Sequence, residues 1–232
     1  MLSGTRPQWL TFDCYGTLIQ WDEGVLEAAR AILARKGAAI NPQQLIAIYD
    51  RHEHALEQTA PHRSFREVAG AALERTMLEL GVAADAGDAK ILTDAIGAMP
   101  LFAEVVPTLA ALRGAGFKLC IISNTDDAII AGNVARLGGH IDRLITAEQA
   151  AAYKPSHRIF RFAHDALGVT AADVVHICAS PHLDLVAARD LGFRAVWIDR
   201  GTGRRLPQDY QPSAIAPLLS GVPGLFRQAG WM

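Results

Sequence analysis

The chain has few of the features that would place it in a special class. Its three cysteines, Cys14, Cys120 and Cys178, are odd in number, and two fall inside predicted strands. Buried free thiols account for them better than a disulfide framework or a metal cluster. An excess of either charge is missing too: 22 Lys and Arg against 24 Asp and Glu give a formal net charge of -2, without a block of like charge. That balance excludes the basic footprint of a nucleic-acid binder. No apolar run approaches the length of a membrane span, and the amino terminus carries no apolar signal core. No membrane partner is expected, and the expected location is the cytoplasm. Repeats and low-complexity segments are absent as well. What is present is apolar content, half of 232 residues, enough for one large domain or for a core with a smaller insert.

Near the amino terminus, Trp9 to Phe12 is a short aromatic, apolar and β-branched run that predicts a buried strand, and Gly16 marks a sharp bend just after it. Asp13 then stands at the carboxyl end of that strand, the edge of an open α/β sheet where ligands and chemistry collect. With a bend that can turn amide N–H groups towards it, Asp13 is a candidate nucleophile beside an anion cradle. Taken alone, the stretch equally allows an Asp that caps the next turn.

From Leu18 to about residue 118 the pattern is helical. Asp22 can cap a helix to about Lys36, Asn41-Pro42 opens a second to about Thr59, and Ser64 with Glu67 forms a capping box for a third to Leu80. A fourth runs from about Asp85 to Ala98. Four amphipathic helices in succession predict a bundle of their own, residues 20–98. Beyond Phe102 helix and strand alternate: helices over 106–115, 126–137, 156–167 and 183–191, strands over 118–123, 144–146, 174–179 and 194–198. Residues 201–211 read as a surface loop, with short helices closing the chain. This alternation predicts an α/β, Rossmann-like core with a parallel sheet. The first strand must join it, so the core is discontinuous, residues 1–19 and 99–232, with the bundle inserted.

Three further stretches can reach the same edge. Ser123, Asn124 and Thr125 end an apolar strand, where one of them can cap the following helix or orient an anion. Lys154, before Pro155, offers a compact cation that would pair with a nucleophilic carboxylate and hold it ionised. Ser180 and Asp184 follow the strand through Cys178, and Asp184 can also be a helix cap.

Asp13-Cys14-Tyr15-Gly16-Thr17-Leu18, Ser123-Asn124, Lys154-Pro155 and Ser180 to Asp184 together resemble the four motifs of the haloacid dehalogenase superfamily, over almost the whole chain. The resemblance implies Asp13 as nucleophile and the helical bundle as a lid. Phosphatases of the superfamily carry a second Asp where Tyr15 stands, and two acids four residues apart, holding magnesium, where Ser180 and Asp184 stand. A phosphoryl leaving group wants a proton and a metal, whereas halide leaves as the anion of a strong acid. The similarity is therefore greatest to the 2-haloacid dehalogenase branch. It implies a small anionic substrate, no cofactor, a homodimer as one possible assembly, and Asp13, Lys154 and Asp184 as the catalytic set, with Asp184 helping to position water. Tyr15, Thr17, Ser123, Asn124 and Ser180 are then substrate contacts, and Arg51, on the second helix, is the cation for the leaving halide, with Arg63 and Arg66 as competitors for that role. Magnesium belongs only to the phosphatase alternative. Departures from that branch are Ala179-Ser180-Pro181 in place of Ser-Ser-Asn and Phe160 in place of a tyrosine.

Overall fold

The computed structural model describes residues 2–232. Its strands are β1 (Trp9–Phe12), β2 (Lys118–Ser123), β3 (Arg143–Thr146), β4 (Val174–Cys178), β5 (Arg194–Ile198) and β6 (Ala214–Ala216). They form one sheet in the order β3-β2-β1-β4-β5-β6, and every neighbouring pair is parallel. The inner strands are apolar and buried along nearly their whole length, as strands covered on both faces must be. This is the α/β, Rossmann-like architecture.

Phe12 of β1 lies opposite Ile121 of β2 and Ile177 of β4, so all three strands deliver their next residues to the same edge. The chain passes to one side of β1 to form β2 and β3 and crosses to the other for β4, which makes the end of β1 a topological switch point. Asp13 emerges there, its amide still donating to the Ile177 carbonyl at 3.0 Å. The bend behind it depends on Gly16, whose φ of 84° lies in the left-handed region that side chains with a Cβ avoid.

Between β1 and β2 come α1 (Trp21–Lys36), α2 (Pro42–Glu57), α3 (Phe65–Glu79) and α4 (Ala86–Ala98), packed on one another, then α5 (Val105–Gly114). Asn41 caps α2 by accepting from the Gln43 amide, and Ser64 and Glu67 close a capping box on α3. Asp22 does not cap α1. The residue in that position is Gln20, without a side-chain bond, and Asp22 lies within the first turn, where it pairs with Arg204 at 2.8 Å. The remaining helices are α6 (Asp127–Val134), α7 (Ala147–Ala150), α8 (His157–Leu167), α9 (Val186–Leu191) and α10 (Val222–Gln228). Neither Ser123, Asn124 nor Thr125 caps α6: its N-cap residue is Asp126, whose carboxylate turns instead to the start of α3 and accepts from the Phe65 and Arg66 amides at 2.7 and 2.8 Å. The α6 helix also ends earlier than its pattern suggests, ahead of a turn through Gly138 and Gly139.

A second junction lies where α4 meets α6. A Cβ placed on Gly132 would come within 2.6 Å of the Gly97 carbonyl oxygen, and one on Gly97 within 2.9 Å of the Ile129 carbonyl oxygen. The two backbones touch because both residues are glycine. Arg136 spreads over the end of α4, donating to the Met99 carbonyl at 2.6 Å. Among the described residues no helix is long and apolar enough to cross a membrane.

Candidate active site

Asp13 is held from both sides. Its Oδ1 accepts from the Lys154 ammonium at 2.7 Å and its Oδ2 from the Thr17 hydroxyl at 2.7 Å. Thr17 in turn accepts from the Ala179 amide at 2.8 Å, so the turn after β1 and the end of β4 fix the carboxylate plane together. Lys154 also donates to Asp184 Oδ1 at 2.8 Å, and Asp184 takes a further bond from His176 Nε2 at 3.0 Å. A carboxylate only accepts, so His176 carries a hydrogen on Nε2, and its Nδ1 meets the Thr11 hydroxyl at 2.8 Å. Burial disfavours the Lys154 charge, yet Asp13 and Asp184 outweigh it and raise its pKa. Burial likewise pushes the Asp184 carboxyl up, but Lys154 and His176 prevail and hold it below its ordinary value.

The structure brings some of the sequence candidates into a cavity of about 190 Å³ and leaves others outside it. Asp13, Tyr15, Ser123, Asn124, Lys154 and Ser180 line it. Arg51 does not. It is an exposed side chain bonded to Glu79 on α3, because one residue past Asp50 is a rotation of about 100° around the helix. Thr17 is committed to Asp13 and Ala179, which makes it a positioning residue for the carboxylate rather than a substrate contact. Asp184 is buried behind Lys154 and outside the cavity wall, so its contact with the site runs through the ammonium, and its Oδ2 has no partner among the described residues. Asn124 clamps the backbone of Lys154, accepting from its amide at 2.7 Å and donating to its carbonyl at 3.2 Å. Tyr15 donates to Asn133 at 3.1 Å and packs on Trp21, and Ser180 accepts from the Leu183 amide at 3.4 Å. The Cys14 thiol is fully buried and is not a wall of the cavity.

Much of the remaining wall lies outside the motifs. Asp50, Glu53, His54 and Glu57 line the cavity from α2, at spacings that put them on one helix face. Arg204 closes another side, carried in by the loop after β5. His182 meets His54 edge to face, their Nε2 atoms 3.5 Å apart, and burial lowers the pKa of both.

Burial pushes the Glu53 carboxyl up to about 8, with the Tyr49 hydroxyl bond opposing the shift and Asp50 adding to it. The folded chain keeps this proton where the unfolded chain has lost it. Stability from this group is thus full below about pH 4.5 and lost as pH rises through about 8. Glu53→Gln keeps an acceptor for the Tyr49 hydroxyl without the charge. Thermal unfolding should show a Tm about 3 °C or more higher at pH 8 and little change at pH 4.5. An equal shift at both values would contradict the assignment.

A family model described as haloacid dehalogenase-like hydrolase matches residues 8–192. The chain belongs to that family. Among similar proteins, haloacetate dehalogenase H-2 of Moraxella sp. (strain B) is 28% identical over 195 residues, covering 82% of this chain and 85% of that protein. The (S)-2-haloacid dehalogenase of Pseudomonas sp. (strain YL) is 28% identical over 197 residues, covering 82% of each. A crystal structure of a dehalogenase with an intermediate complex superimposes with a TM-score of 0.83 over 97% of this chain and 98% of that one; at 23% identity this speaks for the fold.

Within the haloacid dehalogenase-like family, the phosphatase pattern holds magnesium between acids, and the donor set here does not fit that ion. Lys154 Nζ occupies the position between the Asp13 and Asp184 carboxylates, 2.7 and 2.8 Å from them, and Ser180 stands where the other acid would be. His176, Cys178 and Asp184 also converge within 4.8 Å, but all three are buried, and Thr11 and Lys154 already bond the first and last.

Proposed function

We propose that the protein hydrolyses the carbon–halogen bond of a short 2-haloalkanoic acid, with Asp13 as nucleophile. The observation that carries this reading is the Lys154 ammonium bridging Asp13 and Asp184, in a site with Tyr15 and Ser180 where phosphoryl transfer needs acids. The bridge supplies a fixed positive charge without a metal and leaves an Asp13 oxygen pair fully oriented.

An Asp13 carboxylate oxygen attacks the halogen-bearing carbon, and the carbon–halogen bond breaks with its electron pair leaving as halide. No proton is required for that departure, so Tyr15 serves as wall and not as acid. The resulting ester on Asp13 is attacked at its carbonyl carbon by water. Cleavage of the acyl C–O bond returns the Asp13 carboxylate and releases a 2-hydroxy acid and a proton. The Ser123 hydroxyl meets the substrate carboxylate, Asn124 and Asp184 keep Lys154 in place, and Arg204 takes over the part of the halide-facing cation that Arg51 is too distant to play. The insert of residues 20–98, set between 1–19 and 99–232, acts as the lid that excludes bulk water.

The expected result is release of halide from 2-chloropropanoate at neutral pH, measured by a halide electrode, at a rate unchanged after dialysis against chelator. Phosphate release from a generic ester, abolished by the same dialysis, would favour phosphatase chemistry and overturn the proposal.

A further inference from the structure

The cavity wall is strongly bipolar. Asp50, Glu53 and Glu57 face it from α2 and Asp22 joins them from α1, whereas its two Lys and Arg side chains are already taken: Lys154 bridges Asp13 and Asp184, and Arg204 pairs with Asp22. Among the described residues no Lys or Arg forms an ion pair with the three α2 carboxyls; Arg204 and Lys154 only oppose, for Asp50 and Glu57, the larger effect of burial. Glu53 accepts only a neutral hydroxyl, that of Tyr49 at 2.7 Å, and Glu57 only the Asn124 amide at 3.3 and 3.4 Å. At the sheet edge the opposite holds. The Ser123 hydroxyl lines the same cavity, is fully buried and has no partner, a donor left waiting for an acceptor. A buried hydroxyl without a partner is unfavourable, so a ligand that satisfies it is favoured.

We infer that the substrate is a zwitterion: a small 2-halo acid whose carboxylate meets Ser123 and whose other end carries a protonated amine facing Asp50, Glu53 and Glu57. The inference rests on the dehalogenation reading for its reaction and on the two walls for its ligand. A ligand with only a carboxylate would satisfy Ser123 and leave the α2 face without a counter-charge. The size of the cavity restricts the molecule to a few carbons. Burial supports the same view, since it holds the Asp50 carboxyl up at about 6, Glu53 at about 8, and Glu57 above its ordinary value. Carboxyls held up by burial ionise more readily when a cation arrives.

Two substrates of nearly equal shape make the test: 3-amino-2-chloropropanoate, with the amine, and 2-chlorobutanoate, with a methyl in its place. For the protein as it stands, kcat/KM for halide release should be about tenfold or more higher for the amine, equal to about 1.4 kcal/mol. Glu57→Gln and Asp50→Asn should each reduce that ratio towards one, the amine substrate losing more than 2-chlorobutanoate. An equal loss on both substrates, with the ratio unchanged, would mark these residues as structural and overturn the inference. Equal or better turnover of 2-chlorobutanoate overturns the inference and leaves dehalogenation standing. The converse is reached by calorimetry on Asp13→Asn protein, with the products 3-amino-2-hydroxypropanoate and 2-hydroxybutanoate as probes. Tighter binding of the amino product, together with no halide release from any haloacid by the unaltered protein, would keep the bipolar ligand and overturn the reaction. Equal binding of the two products overturns the inference whatever the turnover.

Discussion

Asp13→Asn should lower halide release by at least about 10⁴-fold, because the oxygen that the amide retains carries no negative charge and is a poor nucleophile towards carbon. The shape of the side chain barely changes, but its chemistry does. Both oxygens of Asp13 accept from donors, Lys154 at 2.7 Å and Thr17 at 2.7 Å. An amide must turn its NH₂ towards one of them, so the variant loses an acceptor as well as its nucleophile. A single turnover of the unaltered protein in heavy-oxygen water separates covalent catalysis from direct attack by water. With enzyme in excess over 2-chloropropanoate, the label should be found in the peptide that carries Asp13, and the 2-hydroxy acid should hold oxygen from the carboxylate. Label confined to the product would overturn the ester intermediate. It would also leave the close hold on both Asp13 oxygens without a purpose.

Lys154→Met should be the most destabilising single change at the site. The ammonium is buried between two carboxylates, so its removal strands both of them, a situation that costs about 3–5 kcal/mol. For a chain of this length that corresponds to a Tm lower by about 10 °C. The pH dependence has a definite sign. In the unaltered protein Lys154 and His176 hold the Asp184 carboxyl below its ordinary value in spite of burial, so the stability it contributes is present above that value and is lost as pH falls below it. In the variant the stranded carboxylates are relieved by protonation. The gap between the two proteins should therefore be widest at neutral pH and narrow towards pH about 4. Adding Asp184→Asn to Lys154→Met should restore part of the lost Tm, since the second change removes a charge that the first left unpaired. A double variant less stable than the single one would show that the bridge is not the source of the effect.

The parts of this molecule that were legible in its sequence are those whose signal is local. The β2 and β5 strands fall at 118–123 and 194–198 because an unbroken apolar run bounded by loops has little choice of conformation. The capping box at Ser64 and the Asn41 cap are three-residue patterns and are formed where the residues indicate. The Asp22 cap failed because a competing partner, Arg204, arrives from 182 positions away in sequence. The Ala214–Ala216 strand carries no such local signal, because one isoleucine between two alanines on the far edge of a sheet is too short to show a periodicity. The same division runs through the site. Asp13, Ser123 and Lys154 stand out because a polar residue directly after an apolar strand, or before a Pro and a helix, is conspicuous. Asp50, Glu53 and Glu57 do not stand out, since acids repeating on a helix face ordinarily face water. Arg204 was read as part of a surface loop. One clue was available: that loop follows β5 at the carboxyl edge of the sheet, the edge that holds Asp13.

The touching backbones of Gly97 and Gly132 set a rule for anyone who exchanges parts of this protein with those of a relative. Helices α4 and α6 are matched pieces at this point, since a methyl group on Gly132 would meet the Gly97 carbonyl and one on Gly97 the Ile129 carbonyl. A chimera that imports a foreign bundle with alanine or serine at the first position pushes α4 away from α6 and moves the α2 acids with it. The graft boundary that preserves the pocket is thus drawn by a pair of missing carbons, and both members of the pair must travel together.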